Sequence, residues 1–290
     1  FVIGDWDRHD DQWRWARLKQ EDGTRLYRPI PRDRDQAFSR YDGLVPAIAR
    51  QTLPFLRQLQ SYGPEIQSMK WTTWSARLFD RTFLNELDWP QWEEQVRFIQ
   101  QHLTDTVIEN AFIDWPEKAR KLSAEELKIG LRARRDNLMD IARTHYKFLG
   151  KSVDVIGTDE EEIFEILRIS DSLTHVKVTE VSKKGRVKRI TYDRMFQNAI
   201  TKEIHLYGNG ARDTFLISGH VDKSPIVRLV GGLGKDTFID SSKVGRGGKK
   251  TLVYDDMRKN TVIPSKETKD NRTPISRYNI YDSRGYDSEY

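Results

Sequence analysis

Two short acidic loops near the start of the 290-residue sequence hold the side chains best suited to chemistry. The first runs Gly4-Asp-Trp-Asp-Arg-His-Asp-Asp-Gln12, the second Pro31-Arg32-Asp33-Arg34-Asp35. Asp7 is followed five residues on by the amide of Gln12, then by a stretch of alternating polarity, then by Asp33 and Asp35. Phosphoryl transfer needs a carboxylate to orient the attacking hydroxyl and oxygen ligands to hold Mg²⁺ against the phosphates. The order carboxylate, amide, hairpin, carboxylate suits that chemistry. Taken singly, each acidic loop reads equally well as a solvated turn. The sequence has no Cys, which excludes disulfides, thiolate zinc sites and Cys nucleophiles.

These loops must be positioned by what lies between and after them. Gln12–Leu18 and Arg25–Ile30 alternate in polarity around the turn residues Glu21-Asp22-Gly23, the pattern of a β-hairpin. Trp6, Trp13 and Trp15 are expected to pack the loop and hairpin, and His9 to fix loop geometry. Phe1-Val2-Ile3-Gly4 reads as the end of a buried strand, so the chain is expected to be part of a longer one. From residue 42 the apolar period becomes helical. Leu44, Ile48, Leu53 and Leu56 suggest short helices broken at Pro54 and Gly63, and Trp92, Val96, Ile99 and Leu103 a longer one after Asp88-Trp89-Pro90. A short helix is expected around Val107–Phe112. The capping box Ser123-Ala-Glu-Glu126 predicts the start of a helix reaching Gly150.

Taken together, the two loops resemble the spore-coat CotH kinase family, whose pattern is roughly N-W-D-x-H-x-x-N followed by P-W-D-x-D-x-x-F; a more distant likeness is to atypical secreted kinases of the Golgi. The likeness spans about residues 3–149 and includes Phe79-Asp-Arg-Thr-Phe-Leu84 and Leu131-Arg-Ala-Arg-Arg-Asp-Asn-Leu138. It implies a kinase-like C-terminal lobe, with Asp7 as the catalytic carboxylate and Asp33 as the metal-binding Asp. Asp35 and Gln12 would be further ligands, and Mg²⁺ and ATP the cofactors. Gln12 stands where the family has Asn, Arg32 where it has Trp, and Asp5 adds negative charge. The nucleotide-gripping Lys and its Glu partner would precede Phe1, so these residues alone are not expected to transfer phosphate. A catalytically degenerate pseudokinase fits the same departures.

Residues 151–263 change to β character and carry an internal repeat. Val153-Asp-Val-Ile-Gly157, Ile204-His-Leu-Tyr-Gly208 and Val227-Arg-Leu-Val-Gly231 are each followed seven residues later by Phe164, Phe215 or Phe238. Thr251-Leu-Val-Tyr-Asp255 is a fourth copy with Val262 in the Phe place, and a hairpin turning at Lys183-Lys184-Gly185 interrupts the series. The spacing suits stacked rungs of a β-solenoid. Gly231-Gly-Leu-Gly-Lys-Asp-Thr-Phe-Ile239 fits a calcium β-roll nonapeptide. Because the copies stand 23 residues apart, a Gly turn capped by Asp213 or Asp236 is favoured over Ca²⁺.

The expected fold is therefore α+β: residues 1–150 a mostly helical kinase-like lobe, 151–263 β-solenoid, 264–290 a polar linker or tail. Forty-nine basic and 44 acidic residues leave a net charge of only +5, interleaved, which argues against nucleic-acid binding. No apolar run is long enough to span a bilayer. A kinase-like lobe followed by Gly-Asp-Phe repeats resembles part of large cell-envelope proteins of Gram-negative bacteria. That likeness implies an exported, periplasmic or outer-membrane-associated protein whose partners are the rest of its own chain and other envelope or outer-membrane proteins.

Overall fold

The computed structural model describes residues 1–257, 259–274 and 281. Helices and sheets are both present, an α+β composition, in two compact units. One is built from Phe1–Asp80 and Trp89–Phe148; the other from Arg81–Asp88 and from Leu149 onward. No helix among the described residues is long and apolar enough to cross a membrane.

In the first unit, β1 (Trp13–Lys19) and β2 (Arg25–Pro31) pair antiparallel from Trp13↔Pro31 to Lys19↔Arg25. Helices follow: α1 (Leu44–Thr52), α2 (Met69–Thr72), α3 (Arg77–Leu84, which belongs to the second unit from Arg81), α4 (Trp89–His102), α5 (Asp105–Asn110), α6 (Glu117–Asp136) and α7 (Leu138–Leu149). Phe1–Gly4 forms no strand, contrary to the sequence expectation. Instead Phe1 and Val2 pack against Val96, Leu138 and Ala142, and Phe38 joins Val2 on a cluster of Ile108, Phe112, Ala124 and Leu131. Both acidic loops are thus moored to the helices by the apolar residues beside them.

The capping box at Ser123 misplaced a boundary. Glu117-Lys-Ala-Arg-Lys are strong helix formers, so α6 starts six residues earlier, behind Pro116, with Glu117 in its first turn. The helix also stops at Asn137, a poor helix former, and α7 begins anew. Thr104 does cap α5, its Oγ1 accepting from the Val107 N–H at 3.3 Å. Thr104→Ala should lower the stability of this unit by about 1 kcal/mol. Denaturant unfolding followed by tryptophan fluorescence reads this unit alone, since all eight Trp lie between positions 6 and 115.

The second unit is a stack of parallel rungs. Its strands are β3 (Ser152–Ile156), β4 (Glu162–Arg168), β5 (Leu173–Val181), β6 (Val187–Gln197), β7 (Glu203–Tyr207), β8 (Gly210–Ala211), β9 (Thr214–Ser218), β10 (His220–Val221), β11 (Ile226–Val230), β12 (Leu233–Gly234), β13 (Thr237–Asp240), β14 (Lys243–Val244), β15 (Thr251–Tyr254), β16 (Thr261–Ile263) and β17 (Thr268–Asp270). One sheet has the order β17-β15-β11-β7-β3, all parallel, and the other β16-β13-β9-β4-β5-β6, with β5 and β6 antiparallel. The register pairs Val153 with Ile204, Ile204 with Val227 and Val227 with Thr251, the positions the sequence repeat equates. Phe164, Phe215 and Phe238 accordingly stack ring on ring, at 4.5 and 4.8 Å, fully buried between the sheets.

Residues 264–274 do not form a polar tail: Thr268–Asp270 adds a fifth strand beside β15. Of the rest of that expected tail, only Tyr281 is among the described residues. At the other end of the stack, Arg81 donates to the Ser152 carbonyl at 2.9 Å and Asn85 to that of Asp154 at 2.6 Å, so segment 81–88 covers the outer edge of β3.

Candidate active site and the buried acid ladder

Register builds the first site. With Trp13 opposite Pro31, residues 12 and 32 must meet, and the Arg32 N–H donates to the Gln12 carbonyl at 2.8 Å. Residues 10–12 form a single 3₁₀ turn that buries the Gln12 side chain. One orientation of its amide puts Nε2 2.8 Å from the Arg32 carbonyl and 3.0 Å from that of Asp33. The reverse sets the amide oxygen against those acceptors, with Nε2 3.4 Å from Asp7 Oδ2 and 3.5 Å from His9 Nε2. The first orientation satisfies the donors and turns the amide oxygen toward Asp7 and His9. Two oxygen acceptors, one of them on the partly exposed Asp7, then face each other beside His9. Carboxylate and amide oxygens are the donor types Mg²⁺ takes, so Asp7 and Gln12 fit that ion.

The loop is held from below by charge and rings. Arg34 forms an ion pair with the buried Asp5 at 2.5 Å and lies over the Trp13 ring at 4.7 Å, while Trp13 stacks on Phe79. Trp6 donates to the Gln60 carbonyl at 2.8 Å, and Arg8 grips the buried Asp80 through two bonds of 3.0 Å. Asp7, between these two anchors, is half exposed beside a 260 Å³ cavity lined with Gln36 and Tyr41. Burial, and then the negative charge of Asp35, Asp7 and Asp5, raises the Tyr41 hydroxyl above its ordinary pKa.

Of the sequence candidates, Asp7, Gln12 and the Asp33 backbone come together. Asp33 sits in the left-handed region at φ 50°, and its side chain and that of Asp35 are exposed. Among the described residues no three His, Asp or Glu side chains form a group that could hold a metal ion. Sequence reasoning missed Tyr41 and the Arg8–Asp80 clamp, whose partners are 72 positions apart.

The second unit carries an acid ladder. The Glu162 N–H donates to Asp213 Oδ1 at 2.9 Å, the Asp213 N–H to Asp236 Oδ1 at 2.9 Å and the Asp236 N–H to Asn260 Oδ1 at 2.7 Å. These are equivalent positions of successive rungs, so the Asp side chains lock neighbouring turns together. Their other oxygens face inward, where only Gly leaves room: a Cβ at Gly208 would lie 2.4 Å from Asp213 Oδ2 and one at Gly231 2.7 Å from Asp236 Oδ2. Asp255 Oδ2 points at the same place, 2.2 Å from that Gly231 Cβ position. Burial, then the charge of Asp236, pushes Asp213 up to about 9 and Asp255 up to about 7, and burial also raises Asp236. These inward oxygens have no hydrogen-bond donor, which is why burial favours the protonated form of each carboxyl. No family model, curated protein or solved structure matches the chain.

Proposed function

We propose that residues 1–149 are the C-terminal lobe of a CotH-like kinase fold, followed by a β-solenoid, in an exported cell-envelope protein. The reading rests on one observation: the buried Gln12 amide ties the loop of Asp7 to the backbone of Asp33, so the two loops that phosphoryl transfer requires are one structure. Asp7 would orient the acceptor hydroxyl. Gln12 would offer its amide oxygen, and Asp33 with Asp35 the carboxylates, to a Mg²⁺ ion that supplies charge neutralisation at the phosphates of ATP when bound. The nucleotide-gripping Lys would come from the rest of a longer protein.

The expected result is that Asp33→Ala in the full-length protein weakens Mg²⁺-dependent nucleotide binding roughly tenfold or more by titration calorimetry. Equal binding by wild type and variant would remove Asp33 from the metal site.

One observation favours a degenerate scaffold instead. Arg34, at the centre of the proposed metal loop, is turned inward onto Asp5, while the carboxylates on either side of it are exposed. On that reading the wild-type protein transfers no phosphate and co-purifies in stoichiometric amounts with outer-membrane proteins.

A further inference from the structure

The residue preceding each ladder position lies at the surface, exposed in three of the four turns and half-buried in the first. Those residues are Glu161, Arg212, Lys235 and Lys259, each two positions before the mutually paired Ile163, Thr214, Thr237 and Thr261. The ladder bonds and the backbone bonds from Thr237 to Asp213 and from Thr261 to Asp236, both 2.9 Å, hold these turns at the spacing of neighbouring strands. The backbones that carry Arg212, Lys235 and Lys259 therefore stand in file at intervals of about 4.8 Å. Arg212 is offset by Glu161 at 2.7 Å, but among the described residues no ion pair engages Lys235 or Lys259.

This file forms one wall of an open 950 Å³ groove. Lys183 from the β5–β6 turn and Lys188 from β6 line it too, with Val181 and Ser182, these strands continuing the sheet beyond β4, and Ala211 and Gly234 line it between the charged residues. Gly234 is required there, since a Cβ would lie 1.6 Å from the Ala211 carbonyl oxygen. Five cations line the groove against three carboxylates, two of which, Glu160 and Glu161, are already paired with Lys188 and Arg212. Lys184 and Arg186 add exposed charge at the same turn. Like charges held one strand apart repel each other, and an extended anion laid along the file relieves that repulsion.

We infer that this groove binds a linear anionic polysaccharide, its acidic groups running along Arg212, Lys235 and Lys259 and on to Lys183. The lining has no aromatic ring, which single-stranded nucleic acid would use for base stacking. It also exposes no large apolar side chain of the kind that inserts into a membrane surface. What remains is a solvated trough read by charge, independent of the proposed kinase site.

The probe is polygalacturonate, with uncharged dextran as control, titrated against the whole chain at low ionic strength. Saturable binding that weakens with salt is expected, with K235E/K259E lowering affinity roughly tenfold or more. The same charge change at K223E/K243E, on other turns of the stack, should alter it by about twofold at most. Equal losses in the two double variants, no binding of polygalacturonate, or binding of dextran to the same extent would overturn the inference. So would tighter binding of a single-stranded DNA oligonucleotide or of phosphatidylglycerol vesicles, each of which would assign the groove to another class of ligand. Circular dichroism of every variant confirms that the sheets are intact.

Discussion

Asp213→Asn should raise the melting temperature of the stacked β unit at neutral and alkaline pH and leave it nearly unchanged near pH 4. In the native structure Asp213 is pushed up to about 9 and Asp255 up to about 7, against an ordinary value of 3.8. The folded state thus holds protons that the unfolded chain releases. Their contribution to stability is complete below the ordinary value and is lost as pH rises, through about 7 for Asp255 and about 9 for Asp213. The side chains facing Asp213 are Asp236, Glu162 and Glu161, all acidic, so only the Glu162 N–H offsets an ionised carboxylate there, and burial outweighs it. An amide keeps the Oδ1 bond from the Glu162 N–H and replaces the inward oxygen with a donor. Asn260 already occupies the equivalent position one rung beyond Asp236, accepting the Asp236 N–H and donating to the Asp256 carbonyl at 3.3 Å. The gain at neutral pH is on the order of several kcal/mol, or roughly 10 °C for a unit of this size. Calorimetric scans from pH 4 to 9 test it, and a variant profile parallel to wild type would show that Asp213 is ionised in the fold.

Arg134→Lys should destabilise the helical unit by about 3 to 5 kcal/mol despite keeping the charge. The guanidinium is fully buried and donates to the carbonyls of Gly63 and Phe1 at 2.6 Å each and to that of Glu65 at 3.3 Å. It also lies over the rings of Trp6 and Tyr62, at 5.1 and 4.5 Å. A Lys ammonium cannot span three separated carbonyls, and the planar guanidinium's packing between the two rings is lost with it. Gly130, one turn earlier on α6, makes the room: a Cβ there would lie 2.6 Å from the Tyr62 ring. Because Trp6 precedes Asp7 directly, the variant should also loosen the candidate catalytic loop. Tryptophan fluorescence during urea unfolding measures the loss, and a midpoint within error of wild type would refute the clamp.

The parts of this molecule that were legible in the sequence are those in which neighbours dictate conformation. Alternating residues around Glu21-Asp22-Gly23 specify a hairpin, and the seven-residue interval from Gly208 to Phe215 recurs because each rung solves the same packing problem with the same residues. Asp7 and Gln12 could be paired in advance because the interval between them is short. What stayed hidden depends on distance along the chain. Arg134 bonds a carbonyl 133 positions away and Arg8 a carboxylate 72 positions away, and no local pattern announces either. The ladder was half visible: the Asp positions stood out, but whether their oxygens turned toward an ion or toward the next turn's backbone depends on the stacking itself. Ser123 misled for the opposite reason, since a local capping signal was overridden by helix formers on its N-terminal side.

The antiparallel strands β5 and β6 sit at one end of their sheet, and segment 81–88 covers the same end of the other, so the stack has a fixed beginning. From β7 onward the register-setting bonds of each turn reach only the next one. Duplication of a whole repeat beyond β15 would therefore lengthen the molecule with the same neighbour contacts, whereas the buried Arg168 of β4, which donates to Ser242 and Thr251 at 3.3 and 3.0 Å, fixes the number of turns before it. Such a chain can be lengthened in evolution by copying, without a new core having to be found.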